Sequence, residues 1–172
     1  MRTPGAVGSI WTYGHRNQQG LAIDPVTGDL WASEHGPRGG DELNHLGKGL
    51  NYGWPVITYG MNYDGTAITD HTAQAGMEQP VIYWTPSIAV SQIGFYRGDR
   101  FPKWKNNMFL GSLAQQEFWR MVVDGARITH RELIFKHLGR IRDVVTGPDG
   151  LLYIALEIPG HPGRIIRLVP AD

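Results

Sequence analysis

Across 172 residues, 16 basic side chains balance 16 acidic ones, so the charge makes no case for a nucleic-acid partner or an anionic membrane surface. The absence of cysteine excludes disulfides, thiol catalysis and thiolate metal sites. No run of 18 apolar residues exists to span a bilayer, and 23 Gly with 11 Pro favour short strands and turns over long helices, in a single domain over residues 1–172.

The opening stretch, MRTPGAVGSIWTYGHRN, has neither a basic n-region nor an apolar h-region and is not expected to act as a signal peptide. The first polar concentration is GHRNQQG at 14–20, directly before a strand expected at 20–24 (GLAID). Arg16, Asn17 and Gln19 offer planar donors able to grip carbonyl or carboxylate oxygens. The plainer alternative is a solvated turn whose side chains bond local backbone. A Pro-Val-Thr-Gly-Asp turn leads to a strand at 30–33 (LWAS), then to SEHGPRGGDELN at 33–44. Carboxylates alternating with glycines and exposed carbonyls suit a hard cation such as Ca2+, although EF-hand spacing is missing; the alternative is an acidic surface loop. His15, His35 and His45 lack helical pairing, which argues against zinc.

A strand at 41–46 (DELNHL) closes this first unit, and residues 53–80 read as an inserted loop, functional or mobile. Tyr52, Trp54, Tyr59, Tyr63 and Trp84 either wall a flat ligand or pack sheets together. The second unit has strands at 90–96, 107–112, 118–123 and 132–135, with a hairpin turn at Asp124-Gly125. The third begins with GRIRDV at 139–144 and has strands at 142–146, 151–156 and 164–169. On a strand, Arg140 and Arg142 share a face and form either a two-guanidinium anion clamp or partners for Asp143 and neighbouring Glu side chains; the residues alone favour pairing.

The first and third units share one grammar: strand, Pro/Gly/Asp turn, strand, Gly/Pro loop, strand. Such a repeat predicts an all-β fold with about three β-propeller blades. Three blades leave faces uncovered, so further sequence upstream or a second copy of the chain is expected to complete the ring. No G-x-S-x-G elbow, Walker loop or H-E-x-x-H occurs, which removes hydrolase and nucleotide readings.

In order along the chain, GHRNQQG, SEHGPRGGDELN, GKGLNYGWP, WTPSIAVSQIGFY and GRIRDVVTGPDG resemble the C-terminal half of the soluble pyrroloquinoline-quinone (PQQ) glucose/sorbosone dehydrogenases, and within them the periplasmic aldose sugar dehydrogenases. The resemblance runs from about Trp11 to Val169. It implies a six-bladed propeller with PQQ near its axis, oxidation of aldose sugars at the anomeric carbon to lactones, and an external electron acceptor. It also implies a periplasmic or secreted setting.

By resemblance, Arg16 is the catalytic group that polarises the quinone, with Asn17 and Gln19 beside the cofactor and Tyr63 against it. The carbonyls of Gly36 and Pro37 hold the Ca2+ that contacts PQQ, while Glu42 and the Tyr52 carbonyl hold a second, structural Ca2+. Arg140 and Arg142 clamp PQQ carboxylates, which reverses the preference for simple pairing. The family's histidine base belongs to the other half of the ring. In Ser112-Leu113-Ala114, Ala114 stands where the family commonly has lysine. Loss of that ammonium implies PQQ binding weaker by ~1.5–3 kcal/mol, with Gln115 or Gln116 in partial compensation. It also motivates the alternative of a non-catalytic binding propeller.

Overall fold

A computed structural model describes residues 7–171. Three antiparallel sheets stand side by side. The first is formed by β1 (Gln18–Ile23), β2 (Leu30–Glu34), β3 (Asp41–Leu46) and β4 (Ile82–Trp84), in that order. The second contains β5 (Val90–Phe95), β6 (Met108–Ser112), β7 (Glu117–Asp124) and β8 (Arg127–Lys136), again in chain order. The third has β9 (Arg140–Thr146), β10 (Leu152–Glu157) and β11 (Arg164–Leu168), with β10 central. Each is a propeller blade. Among the described residues the helical content is one 3-10 turn, Pro102–Trp104, so no helix is long and apolar enough to cross a membrane.

Strand alternation sorts the side chains between blades. In β10, Leu152, Ile154 and Leu156 are buried while the alternate residues Tyr153, Ala155 and Glu157 are not. Trp31, Leu43, Ile93, Met108, Leu110 and Met121 fill the space between the first two blades. Tyr96, Phe109, Phe118, Ile141, Ile154 and Leu156 fill the next. The inner strands β1, β5 and β9 run in the same direction and approach closely. A Cβ on Gly20 would lie 2.6 Å from the Ile93 nitrogen and 2.8 Å from the Ser91 carbonyl oxygen, so only glycine fits. Two buried hydroxyls lace the blades together: Ser33 Oγ donates to Ser91 O at 2.5 Å, and Ser91 Oγ donates to Ile141 O at 2.6 Å. The N-terminal ends of all three inner strands therefore gather at one end of the molecule.

The sequence reading missed β4, whose three residues between Pro80 and Pro86 are too few to show a period. It also gave β8 four residues where the strand has ten, eight of them in register with β7, because polar side chains on this edge strand hide a backbone pattern. Asp124 pairs with Arg127, so the hairpin turns on Gly125 and Ala126. The 53–80 segment is a loop, pinned by Glu78 N to Asn51 O (2.7 Å) and by the paired backbones of Arg38 and Met61.

Candidate functional site

The loop entering β1 is stitched to the end of β2. Glu34 is buried, and its carboxylate accepts from the Arg16 backbone N–H (2.8 Å), His15 Nδ1 (3.0 Å) and Asn44 Nδ2 (2.9 Å). At the other side of the ring, His15 Nε2 lies 2.9 Å from Thr12 Oγ1. The His15 ring stacks on Tyr52, centroids 4.7 Å apart. His35 N donates to Asn17 O at 2.9 Å and completes the seam. Arg16 then extends over the Trp54 ring at 5.4 Å and donates from Nη1 to His35 O at 3.0 Å. Among the described residues no carboxylate pairs with its guanidinium. Asn17 and Gln19 are exposed beside it, with Gln19 Nε2 donating to Asn17 Oδ1 at 3.1 Å.

Beneath this loop lies a small, partly open pocket with room for about one water or ion, lined by Glu34, Glu42, Tyr52 and Arg16 among others. Asn44 Nδ2 bridges the two carboxylates, donating to Glu42 Oε2 at 3.1 Å as well as to Glu34. Its own Oδ1 is buried without a partner. Burial pushes the Glu42 carboxyl up to about 7, reinforced by the neighbouring charges of Glu34 and Asp41. Glu34 and Glu42 thus bring two carboxylates to one small cavity, with the Asn44 amide between them. Among the described residues, no three His, Asp or Glu side chains cluster as a metal site, so backbone carbonyls must complete any coordination here.

Gly36 and Pro37 follow directly. Gly36 is buried, and a Cβ there would collide with the backbone of Gly39 and Gly40. Its N–H donates to Asp41 Oδ1 at 3.0 Å, while Asp41 Oδ2 accepts from Ser87 Oγ (2.6 Å) and Val90 N (3.2 Å). Asp41 thereby locks this loop to the start of β5. Ala114, on the turn after β6, is exposed at the same end, its N–H on Ile88 O at 3.1 Å. Tyr63 is 73% exposed at a hairpin tip and stacks on no aromatic ring among the described residues. The other aromatics split: Tyr59 stacks on Tyr83 at 3.7 Å, and Trp84 packs against the core.

Arg140 and Arg142 do share a face, but they converge on one residue. Arg140 Nε lies 3.3 Å from Glu157 Oε2, and Arg142 Nε donates to the same oxygen at 2.7 Å. The pairing reading of the residues is therefore realised with Glu157, leaving one positive charge in excess. Glu34, Asn44 and Glu157 were not singled out from sequence. Glu34 and Glu157 each end a strand, β2 and β10, where a carboxylate follows a run of mostly apolar residues.

The family model for glucose/sorbosone dehydrogenase matches residues 1–167. The chain is 45% identical over 175 residues to the aldose sugar dehydrogenase YliI of Escherichia coli (strain K12), covering all of this chain and 47% of that protein. It superimposes on a crystal structure of a glucose dehydrogenase with TM-score 0.89 and 42% identity, over 98% of this chain and 49% of the other. The PQQ-bound aldose sugar dehydrogenase from Streptomyces coelicolor gives TM-score 0.70 at 28% identity, over 96% and 47% of the respective chains. The chain spans about half the length of the curated relatives it matches.

Proposed function

This chain belongs to the glucose/sorbosone dehydrogenase family, and from that footing we propose that it forms the cofactor-holding part of a PQQ- and Ca2+-dependent dehydrogenase that oxidises aldose sugars at the anomeric carbon. The observation that carries the reading is Arg16, a guanidinium held by Trp54 and the His35 carbonyl, with no carboxylate partner among the described residues. Likeness to a PQQ-bound relative supports it.

PQQ, when bound, supplies the quinone that takes hydride from the sugar. Arg16 sets a fixed positive charge where negative charge grows on a quinone oxygen, and its seating leaves little reorganisation for the reacting complex. Asn17 and Gln19 add neutral donors beside it. The Gly36 and Pro37 carbonyls are hard oxygen donors suited to one Ca2+. Glu42, the Tyr52 carbonyl and the unpartnered Asn44 Oδ1 suit a second, which would relieve the crowding at Glu34 and Glu42. Arg140 and Arg142 take the carboxylates of PQQ in exchange for Glu157. The proton-accepting histidine and much of the sugar pocket come from the remainder of the ring, supplied by sequence outside this chain. Electrons leave to an external acceptor, in the periplasm or outside the cell.

The full-length protein loaded with PQQ and Ca2+ should reduce an acceptor dye when aldoses are added; no reduction with any aldose would overturn the reading. A second reading, a non-catalytic propeller that binds sugar or protein, is favoured by the exposed Ala114 in place of a lysine. PQQ binding at micromolar affinity or tighter would count heavily against it.

A further inference from the structure

Glu34 has no assigned part in the function proposed above, yet it holds that site's key arginine. We propose that Glu34 is a positioning residue: its buried carboxylate fixes the backbone at Arg16 and so sets where the guanidinium meets an anionic quinone cofactor. The inference rests on the cofactor reading.

The geometry is specific. Two of the four hydrogen bonds that join residues 15–17 to the end of β2 are accepted by this one carboxylate, from His15 Nδ1 and from the Arg16 backbone N–H. The other two, His35 N to Asn17 O and Arg16 Nη1 to His35 O, use the backbone of the next residue. Glu34 is itself held from behind by Asn44 Nδ2, so the carboxylate cannot swing away to follow a displaced loop. Its side chain is 5% exposed and that of His15 is 8% exposed, so water cannot replace either bond without opening the seam. An amide at position 34 would present N–H to a neighbour that is itself a donor. The Arg16 backbone would then shift, and with it the guanidinium. Glu34 touches no ligand in this scheme; it acts through Arg16 alone.

The test is a double-mutant cycle in the full-length protein at saturating Ca2+. PQQ affinity is read from quenching of tryptophan fluorescence, to which Trp54 beneath Arg16 contributes. Glu34→Gln should weaken PQQ about tenfold, the effect of one charge-assisted hydrogen bond. Arg16→Ala should weaken it further, and the double variant should match Arg16→Ala within about twofold, because the positioning has nothing left to position. If Arg16→Ala weakens PQQ while Glu34→Gln does not, or if the two effects add, the inference fails and the cofactor reading stands. If Arg16→Ala leaves PQQ affinity unchanged, both fall. Should Glu34→Gln fail to fold, His15→Phe keeps the ring stacked on Tyr52 and removes one of the two bonds. A weakening of about threefold that vanishes in the Arg16→Ala background supports the inference, and an unchanged affinity overturns it.

Discussion

Glu42 is the side chain whose environment makes the sharpest residue-level prediction. Its carboxyl titrates at about 7 in the fold against an ordinary value of 4.5, chiefly through burial. The folded state therefore holds this proton more tightly than the unfolded chain. Its stabilising effect is full below pH 4.5 and is lost as pH rises through about 7, at a cost of roughly 3 kcal/mol at most. A cation in the pocket would reverse that loss. The Ca2+-induced rise in melting temperature should be larger at pH 8 than at pH 5, and Glu42→Gln should raise the metal-free Tm at pH 8 while removing the Ca2+ response. An undiminished Ca2+ response in that variant would take Glu42 out of the metal site. Glu157 offers a matching test of the arginine pair. Because it neutralises one of two guanidiniums, Glu157→Gln should tighten PQQ binding by about threefold to tenfold. Its stability should change by only about 0.5 kcal/mol, since the pair is largely exposed. A titration showing weaker PQQ binding would mean that Glu157 orients the arginines instead of competing for them.

Among the elements, the inner strands carry the most information. β1, β5 and β9 touch almost backbone to backbone, and the serine hydroxyls tie carbonyls of neighbouring blades together. Ser91→Ala leaves the Ile141 carbonyl buried without that donor and should cost about 1–3 kcal/mol, a drop of several degrees in Tm. A Tm within a degree of the parent would show that the second and third blades do not depend on this bond. These strands were readable because Gly, Val and Ile recur between turn signals. Their lateral partners were not, since nothing in VSQIG says that a serine crosses to the next blade. β8 shows the converse: Thr129, His130 and Arg131 carry no strand period of their own, and pairing of His130 and Arg131 with β7 makes the run continuous strand.

At the scale of the molecule, two blade faces lack a neighbour among the described residues. Leu21 and Ile23 are 57% and 55% exposed on one side, and Val145 and Ile165 are 52% and 76% exposed on the other. Apolar side chains in such rows mark an interaction surface. The 172-residue chain by itself should therefore self-associate, and Leu21→Glu combined with Ile165→Glu should reduce the association seen by light scattering. A parent chain that stays monomeric at high concentration would exclude closure of the ring by a second copy. What the sequence determined unaided was local and ordered: strand periodicity, turn chemistry, and a motif series that carried family and propeller class and pointed to Arg16, Gly36 and Glu42 as candidates. Only the tertiary structure decided how those residues are held. Glu34, Asn44 and Glu157 take their meaning from partners 10 to 19 positions away, and distances across a sheet are set by register and burial, which no linear spacing encodes.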